Sequence, residues 1–333
     1  MNKKTIKIIL CMLLAIITVL SLSGCKKIYE TNQPINPITA KIVAMKGPTG
    51  IGMVRVMNEI TSLSDYVNTK FEIMTSTDTV VAGLLDKSIS IAAVPTNLAS
   101  VLYNKTEGEI QILAVHTLGV LHILDKTGNI KSVSDLRGKT LIASGQGSLP
   151  QYVLNFILTE NGINPETDIE IVYKAEHSEV ATLLLSGQAD IAMLPEPFVS
   201  TVINKDDSII HAIDLNDEWV KKAPDITLSM GCLVAQKSFI EENTAEVNTF
   251  LDLYKESIEW VLEEPYNAAP YIVSSGILDN ETVAENAIPN CNIVYIDAED
   301  AKDSLNAFFE FLYNNSPSSV GGKVPDNEIY YIR

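Results

Sequence analysis

The sequence predicts an α/β protein of two similar lobes joined by two crossing strands, and three observations carry that prediction. Residues 79–103 and 179–203 repeat one another at an offset of 100: Val80/Val180, Leu84/Leu184, Leu85/Leu185, Ile91/Ile191, Ala92/Ala192, Pro95/Pro195 and Ser100/Ser200 are identical. Upstream, KIVAMKG (41–47) stands opposite LIASGQG (141–147), with Ile42/Ile142 and Gly47/Gly147 matched. A period this long marks a lobe, since solenoid units repeat every roughly 20–50 residues. Second, short β runs alternate with helical runs through residues 40–215, the pattern of parallel sheets covered by helices. Third, 112–124 and 226–235 are longer β-type runs that break this rhythm and suit strands passing from one lobe to the other. Two lobes imply a cleft, and clefts between domains are where small ligands bind.

At the N-terminus, the basic stretch MNKKTIK precedes an apolar run from Ile8 to about Leu22, short for a membrane span of ~20 residues. It closes on Leu22-Ser23-Gly24-Cys25, which resembles the lipobox of bacterial lipoproteins. That resemblance implies that residues 1–24 are a signal peptide and that Cys25 becomes an acylated N-terminus on the extracytoplasmic face of the cell membrane. The alternative is an uncleaved signal anchor with an incidental cysteine. Targeting segments do not enter the fold argument. Residues 25–38 are polar, carry two prolines and have no apolar period, so they form a tether.

The expected strands are 41–45, 70–74, 89–94, 110–116, 140–143, 169–173, 190–194 and 209–213. Between them, helical spacing covers about 51–60, 78–87, 96–104, 149–160, 177–186 and 196–203. Lobe one then takes residues 39–118, lobe two takes 119–227, and 228–333 returns to lobe one. The last third reads as helical. Val247, Phe250, Leu251, Tyr254, Ile258, Val261 and Leu262 form one helix face before Pro265. A further helix over 299–314 buries Phe308, Phe309 and Leu312, as core and not as a ligand cage. The closing GGKVPDNEIYYIR straps back onto a lobe.

The formal charge of −18 becomes about −21 once Lys3, Lys4 and Lys7 leave with the leader. This excludes a nucleic-acid partner, which needs clustered Lys and Arg. Cys232 and Cys291 lack metal-like spacing, and either a disulfide or two buried thiols fits them. No HExxH, no metal-spaced His/Cys group and no GxSxG elbow is present, so no cofactor, metal or catalytic residue is assigned.

KGPTGIG after the first strand, SVSDLRGKT and SGQGSLP opening lobe two, and ADIAMLPEPF occur in an order that resembles substrate-binding proteins of bacterial ABC importers. Within these, the chain looks most similar to the nitrate/sulfonate/taurine and thiamine-precursor (SsuA/THI5-like) group, over about residues 39–315. The resemblance implies a type II periplasmic-binding-protein-like fold that closes on a solute and performs no catalysis. It further implies a monomer that delivers the solute to an ABC permease and its ATPase.

In open α/β sheets ligands lie beyond the carboxyl ends of the strands, so loops leaving strands are the candidates. Gly47, Thr49 and Gly50 end the first strand and open a helix, and Ser144, Gln146, Gly147 and Ser148 are their lobe-two counterparts. Backbone N–H groups there can meet an anion; the alternative is a tight turn without a ligand. Thr75, Thr77, Thr96 and Asn97 either face the cleft or cap the next helix. Glu196, opposite Thr96 in the repeat, either accepts hydrogen bonds from an amine-like group or serves as a first-turn helix acid. His116 falls beside the hinge, while His122 and His211 read as ordinary strand residues. Together the donors and Glu196 suggest a small polar molecule with acidic and amino character, or an aminopyrimidine-like ring. Two other functions compete with a solute receptor: an enzyme of cofactor-precursor metabolism on the same fold, and an extracellular sensor component.

Overall fold

A computed structural model describes residues 37–333; the leader, most of the tether and Cys25 lie outside the described residues. In chain order, β1 (Ile38–Met45), β2 (Val67–Met74), β3 (Ile91–Pro95) and β4 (Ile110–Thr117) begin one sheet. β5 (Leu121–Asp125), β6 (Thr140–Ser144), β7 (Glu170–Lys174), β8 (Ile191–Pro195) and β9 (Ile210–Asp214) make a second, ordered β7-β6-β8-β5-β9. β10 (Gly231–Gln236) and β11 (Ile293–Asp297) return to the first, completing the order β11-β4-β10-β3-β1-β2. Lobe one carries the helices α1 (Pro48–Ile51), α2 (Val54–Glu59), α3 (Thr77–Leu85) and α4 (Thr96–Lys105). Lobe two carries α5 (Leu149–Glu160), α6 (His177–Leu185), α7 (Phe198–Lys205) and α8 (Leu215–Lys222). The return segment adds α9 (Lys237–Glu242), α10 (Thr244–Glu263), α11 (Pro265–Ser274), α12 (Glu281–Ala287) and α13 (Ala298–Asn315).

The internal repeat is a repeat of structure. α3–β3–α4 and α6–β8–α7 are the same unit 100 residues apart, and β3 and β8 share one burial pattern of four buried residues before a half-buried proline. Val80 and Val180, Leu84 and Leu184, and Ile91 and Ile191 are all buried. The sequence identity is therefore the shared requirement of a helix packing onto a parallel strand.

Two expectations need correction. The run 226–235 is strand only from Gly231, because Trp219 Nε1 donates to the Ile226 carbonyl at 2.7 Å and holds the approach out of the ladder. The last third is not wholly helical: β11 pairs antiparallel with β4 at the sheet edge. Its apolar run, Ile293-Val294-Tyr295-Ile296, is β-branched and aromatic, but five residues between helices leave little periodicity to detect. Pro265 does follow the end of α10, and it also opens α11 as its first residue, where a missing N–H costs nothing.

The chain passes between the sheets at 118–120 and again at 223–230. Leu118 N–H donates to Asn292 O (3.1 Å), and Asn292 Nδ2 donates back to Gly119 O (2.9 Å). Met230 is tied on both sides, donating to Thr117 O (2.9 Å) and accepting from Thr96 N–H (3.2 Å). The C-terminal strap lies on lobe one. Tyr331 N–H reaches Ile112 O (2.9 Å), and one face of α4 clamps the turn before it: Asn97 Nδ2 to Ser319 O, Ser100 Oγ and Asn104 Nδ2 to Val320 O. The lobes also touch through aromatic rings. Phe156 of lobe two packs edge-on against Phe311 of α13 (4.7 Å), and Trp219 meets Phe311 and Phe308 (4.8 and 6.0 Å). Cys232 and Cys291 are free and buried.

The first crossing, and β10 where the second crossing ends, each carry a glycine that close neighbours require. A Cβ on Gly119 would sit 2.2 Å from Asn216 Oδ1 and 2.7 Å from its Cβ, and one on Gly231 would sit 2.4 Å from Cε1 of the buried His116 ring. Gly231→Ala is expected to destabilise by about 1–3 kcal/mol through overpacking. Urea denaturation checks this, and an unchanged midpoint would remove the close-packing account of the crossing.

Candidate functional site

The parallel strands of each lobe end toward the other lobe, so β1 and β3 of lobe one and β6 and β8 of lobe two deliver the predicted residues. The structure separates these residues into three groups. In the first, several loop donors are used internally. Gly47 has the positive φ of 134° that a side chain resists, and its carbonyl takes the Gly50 N–H at 3.0 Å. Thr49 Oγ1 donates to the Met45 carbonyl. In lobe two, Gly147 N–H donates to Gln151 Oε1 (2.6 Å), and Ser148 donates to Gly145 O through both its N–H and its Oγ (3.1 and 2.8 Å). In these turns the Gly50, Gly147 and Ser148 N–H groups are taken by protein acceptors, which leaves fewer amides for an anion than the glycines alone suggest. Gln146 is exposed, Ser144 is buried, and its Oγ bonds His177 Nδ1 at the start of α6.

The second group serves the fold. Asn97 anchors the strap through Ser319 and His116 has no exposed surface, its Nδ1 on Thr117 Oγ1 (2.8 Å) and its ring beside Tyr254. Thr75 is exposed and Thr77 half-buried, and the cap of α3 is Ser76, which accepts from Thr79 N–H. Thr96 is wholly buried and its Oγ1 has no partner among the described residues.

The third group meets at an inter-lobe cavity of about 540 Å³ beside the first crossing. Glu196, Ser200 and Asn204 line it from lobe two, and Asn286, Asn290 and Asn292 from the return segment. Glu196 is 3% exposed, and Ser200 donates to its two oxygens from N–H (3.1 Å) and Oγ (3.0 Å). From the position before the N-cap Pro197, it thus accepts at the start of α7 while it lines the cavity. Burial raises its pKa, and the two Ser200 bonds partly offset this. Among the described residues no Lys or Arg lines the cavity, and its polar groups are carboxylate, amide, hydroxyl and imidazole.

Sequence reasoning passed over His122, His211 and Asp214, which also line this cavity. His122 Nδ1 lies 2.7 Å from His211 Nε2 and 3.8 Å from Asp214 Oδ2. No sequence spacing announces this group, because 89 residues separate the histidines and only the β5–β9 register brings them together.

Burial pushes the His116 and His177 pKa values down from 6.5 to about 4. A depressed pKa in the folded state means that these groups support folding fully above pH 6.5 and lose that support as pH falls toward 4. Each shift corresponds to on the order of 3 kcal/mol. Denaturation from pH 7 to pH 4 is expected to show a decline that His177→Gln makes shallower, the amide keeping a partner for Ser144. An identical pH profile in the variant would exclude His177 as a source.

Residues 56–215 match the family model described as the periplasmic substrate-binding protein of a phosphonate ABC transporter. YtlA of Bacillus subtilis (strain 168), named as a candidate binding protein, is 25% identical over 126 residues, 38% of this chain and 36% of that protein. The chain thus spans about a third of that curated relative. An ABC transporter structure from Parabacteroides distasonis has a TM-score of 0.76 at 23% identity, covering 89% of this chain and 99% of that one. The periplasmic aliphatic sulphonate binding protein SsuA from Escherichia coli has a TM-score of 0.69 at 17% identity, covering 87% and 94%. Among the described residues, no helix is long and apolar enough to cross a membrane. The matched segment resembles the substrate-binding proteins of ABC transporters and the two-lobed fold is shared with the solved structures, both in agreement with the resemblance in the loop phrases.

Proposed function

We propose that this chain is the lipid-anchored solute receptor of an ABC importer, closing its lobes on a small polar molecule and handing it to a permease served by an ATPase. The observation that carries this reading is the polar cavity between the lobes, lined from both sides, next to a crossing built on Gly119. Hinge closure about a few crossing residues is how two-lobed binding proteins trap a ligand. The lining supports a solute with several hydrogen-bonding groups, among them an amino or amide donor for Glu196. It gives less support to a bare dianion, which would want Lys or Arg. Ser144, His177 and the buried Thr96 hydroxyl extend the polar surface at the strand ends and are proposed as further contacts.

Native mass spectrometry of protein purified without refolding is expected to find a small polar solute. Adding that solute to stripped protein should reduce the radius of gyration in solution scattering. Glu196→Gln should weaken an amino-bearing solute by about ten- to a hundredfold, the worth of a charge-assisted hydrogen bond of about 1.5–3 kcal/mol. A tight solute that leaves the scattering curve unchanged would reject closure, and turnover of the solute would favour the enzyme reading.

The tether places the receptor at the membrane. Two signals usually stabilise such anchoring, each acyl chain contributing ~0.8 kcal/mol per buried methylene, and a diacylglyceryl cysteine supplies more than one chain. Cys25→Ser is expected to leave unprocessed precursor or move the protein out of the membrane fraction. Unchanged attachment of a processed protein would reject lipidation at Cys25.

A further inference from the structure

We propose that His122, His211 and Asp214 form a binding site for a divalent transition-metal ion of the zinc, cobalt or nickel kind, open to the inter-lobe cavity. Two imidazoles and one carboxylate are a donor set suited to these ions, with the remaining position left to water or to a donor atom of a bound molecule. One ligand atom from each residue lies within 4.8 Å of the others. All three residues line the cavity, so an ion has both a path in and space for a fourth ligand.

The strand geometry shows how the site is built. β5 and β9 run antiparallel with His122 opposite Asp214 and Ile123 opposite Ile213. Regular pairing would next set Leu124 opposite Ala212 and turn His211 to the other face of the sheet. Instead the register shifts between Ile123 and Leu124, and Leu124 stands opposite His211. The extra residue in β9 is a β-bulge, and bulges re-aim side chains. Here it brings His211 onto the face that already carries His122 and Asp214.

Hydrogen bonds set the remaining orientations. Asp214 Oδ1 accepts from Asn216 N–H (2.7 Å) and Asp217 N–H (3.2 Å) at the start of α8. That cap fixes the carboxylate and leaves Oδ2 as its atom nearest His122 Nδ1. Fixing a ligand by a hydrogen bond to its other end is what partners behind metal ligands do. The two imidazole nitrogens that face one another at 2.7 Å must share a proton when no ion is bound, since two bare lone pairs at that distance repel. Around a tetrahedral ion with N–metal distances near 2.0–2.1 Å they would stand about 3.3 Å apart, a small opening at a strand edge where His211 is exposed.

The test uses the purified protein, stripped with chelator and then titrated with Co²⁺ and Zn²⁺ without any solute. Calorimetry is expected to give one site per chain, and Co²⁺ should acquire the intense visible absorption of a four-coordinate nitrogen and oxygen site. His211→Ala and His122→Gln should each abolish the absorption, while Asp214→Asn, which keeps an oxygen for the α8 cap, should lower affinity about 10- to 100-fold. Circular dichroism identifies any variant that fails to fold, and the exposed His211 makes His211→Ala the one expected to retain its structure. Absence of uptake by the wild type, or uptake that survives His211→Ala in folded protein, overturns the proposal. Metal binding and solute binding are measured separately, so either can fail without the other.

Discussion

The architecture depends on the close approach of backbone and side chain where the chain passes between the sheets. Gly119 lies against Asn216, and Gly231 lies against the ring of His116, at separations that exclude any Cβ. These contacts bring the ends of β4 and β10 together and put the start of β5 beside Asn292 of the return segment. Because both passages are narrow, the carboxyl ends of the two sheets must face one another, and every candidate contact lies near that junction. His116 is a structural part of it. A ring wholly buried beside Tyr254 and Thr117 forms the wall that Gly231 meets.

The two flanks of the junction differ in chemistry. On one, α13 packs aromatic rings onto α5 and α8, an apolar contact that holds the lobes together with little directional preference. On the other, asparagine, serine, histidine and carboxylate side chains line the cavity beside Val199, Ile203, Val283 and Pro289. The acid at the cavity is also bound at the start of α7 by both donors of Ser200.

Much of the fold was legible because it is locally encoded. Eight strands fall where alternating and β-branched runs predict them, and the offset of 100 marks α3–β3–α4 and α6–β8–α7 as copies. The loops after β1 and β6 were also found, at glycines 47, 145 and 147, but their chemistry was not. A glycine turn looks the same in sequence whether its amides are free or taken by Gln151 and by the turn's own carbonyls. Asn97 was misplaced for a related reason: a polar residue one position past a strand can face a cleft or clamp a strap, and its partner Ser319 is 222 residues away.

The amino-acid sequence by itself determined the two-lobed α/β class, the order of the repeated units and the acidic character of the chain. These follow from periodicity, turn residues and composition, which are properties of neighbours along the chain. The tertiary structure alone decided which side chains share a cavity. His122, His211 and Asp214 meet only through antiparallel pairing and one inserted residue in β9. That pairing results from packing both strands over a common core, a long-range condition that no short stretch of sequence contains.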